Sequence, residues 1–169
     1  IQSDIGGGSL ELIRFEAGRI QQAISLQLGA VRLTERFLED INAALSLKIE
    51  ASIRKYVTEQ LINSGFDFSP AELPFIATGG AYSVSRAVLV AESGGDIKCS
   101  SRHLERSSLN KLKNKLAPLP LKDRLSIPNL PACRADIMPT ALITIDALLG
   151  VSNRSSIMHS FYNLRYGVA

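Results

Sequence analysis

The segment Asp4-Ile5-Gly6-Gly7-Gly8-Ser9-Leu10-Glu11 gathers the residue types that phosphate chemistry uses. Consecutive glycines after a strand let the backbone approach a ligand with no Cβ in the way. Successive amides in such a turn converge on an anion. Ser9 adds a hydroxyl donor. Asp4, at the strand's end, offers the hard oxygen that a hydrated Mg²⁺ takes while it bridges to phosphate. Glu11, on the returning strand, could position or activate water. The pattern is not a dinucleotide fingerprint, because Glu11 occupies the third glycine position counted from Gly6, and no Gly-Lys-Ser/Thr follows to make a P-loop. No helix follows directly to add its dipole. The residues alone leave a phosphate cradle and a plain structural bend both open.

A second glycine turn, Thr78-Gly79-Gly80-Ala81, follows a short apolar run and precedes a helical pattern. Backbone amides and a helix N-terminus combine there, which makes a ready anion site. Tight strand-to-helix packing is the other reading. Two such turns make a shared phosphate cleft more plausible than either alone. Other candidates are weaker. Asp136 and Arg134 read as a cap or salt bridge at a helix start rather than as cleft residues. His103 and His159 lack a second ligand at metal spacing and read as surface or packing residues. Cys99 and Cys133 have no base-partner pattern for a nucleophile.

The elements that must position these groups can be read from periodicity. Residues 1–5 form a first strand ending at the glycines. Two apolar-rich runs around Leu10–Phe15 and Ile20–Leu28 form a hairpin through Ala17-Gly18, with Gly18 at positive φ. A helical turn or two follows at residues 32–38. A clear helix carries Leu45, Ile49, Ile53, Tyr56, Val57 and Leu61 and stops at Asn63-Ser64-Gly65. Phe75-Ile76-Ala77-Thr78 reads as a buried strand, 82–91 as a helix ended by Gly94-Gly95, and 101–116 as a basic amphipathic helix. Prolines at 118, 120, 128 and 131 leave room only for short helices. Residues 135–149 read as a buried apolar helix and 155–161 as a last strand. Strands first, then alternating helix and strand, imply an α/β layered domain with a mixed sheet.

The 169 residues carry a net charge of +3. That length suits one domain with an ordinary core. No run reaches the roughly 18 apolar residues of a membrane helix. Free cysteines with no visible export signal point to a reducing cytosol. Positive charge concentrates in Lys98, Arg102, Arg106, Lys111, Lys113, Lys115, Lys122 and Arg124, against Glu105 and Asp123 only. Such a surface attracts polyanions; a solvated helix face is the alternative. Nothing points to a membrane or to specific nucleic-acid recognition.

The Asp4–Leu12 segment resembles the second phosphate-binding motif of the exopolyphosphatase and guanosine pentaphosphate phosphohydrolase (Ppx/GppA) family. The likeness continues through Leu26-Gln27-Leu28-Gly29-Ala30-Val31-Arg32-Leu33-Thr34-Glu35-Arg36-Phe37, Ile76-Ala77-Thr78-Gly79-Gly80, Arg134-Ala135-Asp136-Ile137-Met138-Pro139 and Leu164-Arg165-Tyr166-Gly167, in the family's order. The resemblance implies a ribonuclease H-like, actin-like ATPase fold whose mixed sheet begins with antiparallel hairpins and is flanked by helices. It implies a two-lobed enzyme that uses Mg²⁺ to hydrolyse the terminal phosphate of inorganic polyphosphate or guanosine pentaphosphate. On this reading residues 1–169 are the second, C-terminal lobe. The N-terminal lobe, with the first phosphate motif and the main catalytic base, is missing, so the lobe alone should be nearly inactive. Asp4 then corresponds to the metal-side carboxylate and Glu11 to a catalytic carboxylate. Gly6, Gly7, Gly8 and Ser9 correspond to the phosphate loop, and Gly79 and Gly80 to the second loop. Arg32 matches a family arginine, with a phosphate contact or a salt bridge as its role.

Three residues depart from the family pattern: Ser3 for an apolar residue, Leu10 for threonine, and Thr140 for glycine. Leu10 would remove a hydroxyl from the turn, which suits an alternative role as a non-catalytic module binding polyanions or nucleotides such as guanosine penta- or tetraphosphate. An ATP-using kinase of the same fold fits the later motifs less well. An exposed cleft face could favour a homodimer.

Overall fold

A computed structural model describes residues 1–70 and 72–162. The motif Leu164-Arg165-Tyr166-Gly167 lies outside the described residues. A central sheet is built from β1 (Gln2–Ile5), β2 (Leu10–Glu16), β3 (Arg19–Leu26), β4 (Ile76–Thr78), β5 (His103–Glu105) and β6 (Ser156–His159) in the order β3-β2-β1-β4-β6-β5. The β1/β2 and β2/β3 pairs are antiparallel hairpins, β1/β4 and β4/β6 are parallel, and β5 closes the far edge antiparallel to β6. The mixed α/β sheet expected from the order of patterns is therefore present. The β2/β3 hairpin turns through Ala17 and Gly18 at φ 49° and 74°, the two positive values that match the twist of the flanking strands.

Alternation along the first strands separates two faces. Ser3, Ile5, Leu10 and Leu12 are buried, whereas Gln2, Asp4 and Glu11 are only half-buried. Strand register places Asp4 opposite Glu11 on β2 and beside Thr78 on β4, and places Glu11 opposite Ser25 on β3. Directly opposed strand residues share a face, so Ser25, Glu11, Asp4 and Thr78 form a polar row across four strands. The buried face meets the helices. There the hydroxyl of Ser3, a residue fully removed from water, pairs with Tyr82 of α3 (Gly80–Glu92) at 2.8 Å. Burial pushes the Tyr82 phenol above its ordinary range. Leu10, also fully buried, lies opposite Ile5. Its departure from threonine thus places a packing side chain in the core.

The other helices are α1 (Ala30–Phe37), α2 (Leu47–Asn63), α4 (Arg106–Leu116), the single-turn α5 (Leu121–Arg124) and α6 (Met138–Val151), with a 3-10 turn at Ala132–Arg134. The α2 helix is capped by Ser46, whose hydroxyl accepts from the Ile49 amide, and the chain leaves it through Gly65 at φ 65°. The α6 helix is buried on every side from Met138 to Leu149, with α1, α2, α3 and α4 packed against it. At its start the Thr140 hydroxyl receives a hydrogen bond from Thr34 of α1 at 2.9 Å. No helix among the described residues is long and apolar enough to cross a membrane.

Two expectations from the sequence change. The helix read over 101–116 begins only at Arg106, because His103–Glu105 pairs with β6 as an edge strand. The basic run is also not one surface. Arg124 is buried, its guanidinium donating to the carbonyls of Ala135 at 3.0 Å and Ala43 at 3.1 Å. Lys113 is buried against Glu50, and Arg106 donates to Asp146 at 2.7 Å. Asp146 also receives Arg54 and Asn110. Buried charges need partners, and three of the eight basic residues of this run are spent in such contacts.

Candidate functional site

The first glycine turn sits at the end of the β1/β2 hairpin and is braced by a helix that begins about twenty residues later. The amides of Ala30 and Arg32 donate to the carbonyls of Gly6 (3.0 Å) and Gly7 (3.1 Å), and Arg32 Nε donates to the Gly8 carbonyl at 2.9 Å. Three successive carbonyls are thus turned toward α1. Gly6 closes the turn by donating to Ser9 O at 2.9 Å. The amides of Gly7, Gly8 and Ser9 take no backbone acceptor among the described residues. Peptide planarity sets each amide opposite its carbonyl, so fastening the carbonyls to the helix presents these amides on the other side. Gly29 makes the close approach possible: a Cβ there would stand 2.3 Å from Gly7 O, Gly8 C and Ser9 N. The helix N-terminus that seemed absent in sequence is therefore present, but its first amides are spent on the turn.

Glu11 lies one strand over. Its Oε1 accepts from the hydroxyls of both Ser9 and Ser25, the latter at 2.9 Å, which leaves Oε2 without a protein donor among the described residues. Asp4 Oδ2 accepts from Thr78 Oγ1 at 2.9 Å. Gly79 closes over the same carboxylate. It has φ 101°, and a Cβ there would lie 2.3 Å from Asp4 Oδ1 and 3.1 Å from the Ile5 carbonyl. Only glycine combines that conformation with that contact. The two turns expected to share a cleft are thus adjacent, joined through Asp4.

Other expected residues also find their places. Arg32 is exposed at the first turn, where its Nε donates to the Gly8 carbonyl, and it makes no ion pair among the described residues. Arg134 departs from its expected role: its guanidinium lies against Gly80, 3.1 Å from where a Cβ would be, with no carboxylate partner among the described residues. Sequence spacing gave no sign of this, because fifty-odd residues separate the two positions. Asp136 does not cap α6: its carboxylate accepts only from the amide of the next residue, Ile137, at 3.0 Å, and the N-cap position of α6 is Ile137, with no side-chain cap bond. His103 is exposed, and His159 is buried in packing. Cys99 and Cys133 are free and exposed.

The donor set suits a hydrated Mg²⁺. Asp4 and Glu11 offer hard carboxylate oxygens at paired positions on neighbouring strands. Among the described residues no trio of His, Cys, Asp and Glu forms a fuller cage. Mg²⁺ keeps several waters and commonly takes one or two carboxylates plus phosphate oxygens. Asp4 could hold it in that way, with Glu11 facing it from the neighbouring strand.

Known proteins carry the same arrangement of chain. The family model of the Ppx/GppA phosphatase family matches residues 1–169. A Streptomyces coelicolor protein described only as uncharacterized is 31% identical over 134 residues, 78% of this chain and 40% of its own length. The Ppx/GppA enzyme of Aquifex aeolicus superposes with a TM-score of 0.86 at 20% identity, over 99% of this chain and 55% of that one. An exopolyphosphatase from Cytophaga hutchinsonii gives 0.82 at 25% identity, over 99% and 54%. The chain thus spans about half the length of the solved structures it matches, and its sheet and helices follow their actin-like ATPase-type fold. With its family model matched from the first residue to the last, the chain belongs to the Ppx/GppA phosphatase family.

Proposed function

We propose that the chain is the second lobe of a phosphoanhydride hydrolase that releases the terminal phosphate of inorganic polyphosphate or guanosine pentaphosphate. One observation carries the reading: a glycine turn with its carbonyls fastened to α1 and its amides unspent, one strand end away from the Asp4–Glu11 pair. The Cytophaga relative's description as an exopolyphosphatase supports the substrate class.

The amides of Gly7, Gly8 and Ser9 bind the terminal phosphoryl oxygens, with Arg32 and Arg134 at the flanks and Gly79 and Gly80 closing the other side. Glu11, its Oε1 held by two serines, presents Oε2 to orient the attacking water, whose proton passes to the main base. Mg²⁺ bound through Asp4 would neutralise charge spread over the phosphoryl oxygens. Thr78 fixes the Asp4 carboxylate that would hold it. Almost all of such a reaction is positioning plus electrostatic stabilisation. Because the chain spans half of the matched structures, a companion lobe completes the cleft and supplies the main base.

The test is phosphate release from polyphosphate and guanosine pentaphosphate, by this chain alone and by the longest protein its reading frame encodes. The chain alone should be nearly inactive. In the longer protein, Asp4→Asn and Glu11→Gln should each lower turnover about 100-fold or more. Unchanged turnover removes those roles, full activity of the chain alone removes the two-lobe requirement, and tight binding without hydrolysis favours the non-catalytic module.

A further inference from the structure

His159, the last residue of β6, is fully buried and lies behind the second glycine turn rather than in it. Arg86 Nη1 stands 3.5 Å from its Nδ1, and Ser83 Oγ stands 3.0 Å from its Nε2. A guanidinium only donates, so Nδ1 accepts and the ring proton sits on Nε2. That N–H donates to Ser83 Oγ, leaving the Ser83 hydroxyl proton for the Gly79 carbonyl at 3.1 Å. The Ser83 amide donates to the same carbonyl at 3.2 Å.

Arg86, itself buried, is anchored by the carbonyls of Ile97 and Ser100, each at 2.8 Å. The Phe161 ring packs edge-on against the imidazole, with centroids 4.6 Å apart. Burial and then the Arg86 charge push His159 down to about 4, so at neutral pH the ring is uncharged and the chain of bonds runs in one direction.

The peptide unit is planar and trans. Holding the Gly79 carbonyl with two donors therefore fixes the Gly80 amide in the opposite direction, out of the α3 N-terminus and into the turn flanked by Asp4 and Arg134. Two donors on one carbonyl also polarise the peptide and strengthen its N–H as a donor. We infer that His159 is a positioning residue, oriented by Arg86 and acting through Ser83, that locks the Gly79–Gly80 peptide with the Gly80 amide presented to an anion. The functional meaning rests on the phosphate-site reading above; the orientation itself does not.

The experiment uses the ¹⁵N-labelled chain at pH 7, with inorganic tripolyphosphate as the probe. Long-range ¹⁵N–¹H spectra should find the His159 proton on Nε2; a proton on Nδ1 overturns the inference. Ser83→Ala and His159→Leu should move the Gly80 amide upfield and weaken tripolyphosphate binding about tenfold, the usual scale for losing an outer support. His159→Gln, which keeps an N–H near the Nε2 position, should restore both. Should His159→Leu fail to fold, Ser83→Ala carries the comparison. An unmoved Gly80 amide in folded Ser83→Ala, or equal losses in the Leu and Gln variants, overturns the inference. If the wild-type chain binds no tripolyphosphate while the amide follows the expected order, the phosphate-site reading fails and the positioning role stands.

Discussion

The turns at Gly6–Ser9 and Thr78–Ala81 lie at the ends of two neighbouring parallel strands, yet their carbonyls are fastened in different ways. The first is braced by a helix distant in sequence: Ala30, Arg32 and the Arg32 side chain take its three carbonyls. The second runs directly into its own helix, with Ser83 holding Gly79 from within the first turn of α3 and His159 holding Ser83 from behind. Glycine serves a different need in each. In the first turn the critical glycine is Gly29, on the bracing helix, where it admits the turn's backbone. In the second it is Gly79, where positive φ and contact with Asp4 coincide. Two unspent sets of amides thus arise from one long-range brace and one local brace backed by a buried histidine.

The sharpest way to break this comparison is at Gly29. Its backbone is ordinary (φ −67°, ψ 152°), so alanine adds no torsional strain there. The added Cβ instead meets three backbone atoms at 2.3 Å, and backbone cannot swing aside as a flexible side chain does. Gly29→Ala should cost more than about 3 kcal/mol, the upper range for overpacking. Urea unfolding reads the loss. Gly8→Ala, whose Cβ has only the end of Arg32 at 4.0 Å, is the control and should stay close to wild type. Equal stabilities would mean that α1 does not brace the turn.

Acid separates the two braces. The first rests on two backbone amides and the Arg32 guanidinium; the second rests on neutral His159. Its folded value of about 4 lies below the ordinary 6.5, so the unfolded chain takes the proton first as pH falls. The stability it contributes is fully present above about 6.5 and is lost as pH drops toward 4. The gap corresponds to roughly 3 kcal/mol at most. Denaturant midpoints between pH 7 and 4 should therefore decline in wild type, and His159→Gln should flatten much of that decline. An identical slope in both proteins would place the acid sensitivity elsewhere.

Which parts of this were legible in sequence follows from how local each signal is. The hairpin at Ala17-Gly18, the end of α2 at Gly65 and the buried α6 each depend on residues within a turn or a helix; the first two appear where the pattern puts them, and α6 appears as a buried apolar helix that starts three residues later, at Met138, and runs to Val151. Strand β5 was not legible: His103–Glu105 is only three residues long, runs straight into α4, and is a strand only because β6 lies beside it. The buried positions of Arg124 and Lys113 were hidden for the same reason, since a charge run does not reveal which carbonyls or carboxylates will meet it. In the site, the glycines and carboxylates were readable as types. Their joining through Asp4, the brace from α1 and the arrival of Arg134 at Gly80 depend on chain crossings that spacing cannot encode.

The smallest expected stability effect lies at Gly80, and it isolates Arg134. A Cβ at Gly80 meets only the guanidinium, with Nη2 at 3.1 Å and Cζ at 3.3 Å. That is the far end of a flexible side chain with no carboxylate holding it among the described residues, so it can move. Gly80 begins α3 and lies outside the left-handed region, and alanine reduces the freedom of the unfolded chain. These effects nearly cancel, and Gly80→Ala should change stability by under about 0.5 kcal/mol. Tripolyphosphate affinity should nonetheless fall, because the displaced guanidinium no longer flanks the turn. Calorimetric titration of Gly80→Ala beside Arg134→Ala checks this. Similar losses in both, with unchanged urea midpoints, identify Arg134 as the anion-facing cation of the second turn. A loss in Gly80→Ala alone would instead mean that the methyl group blocks the Gly80 amide itself.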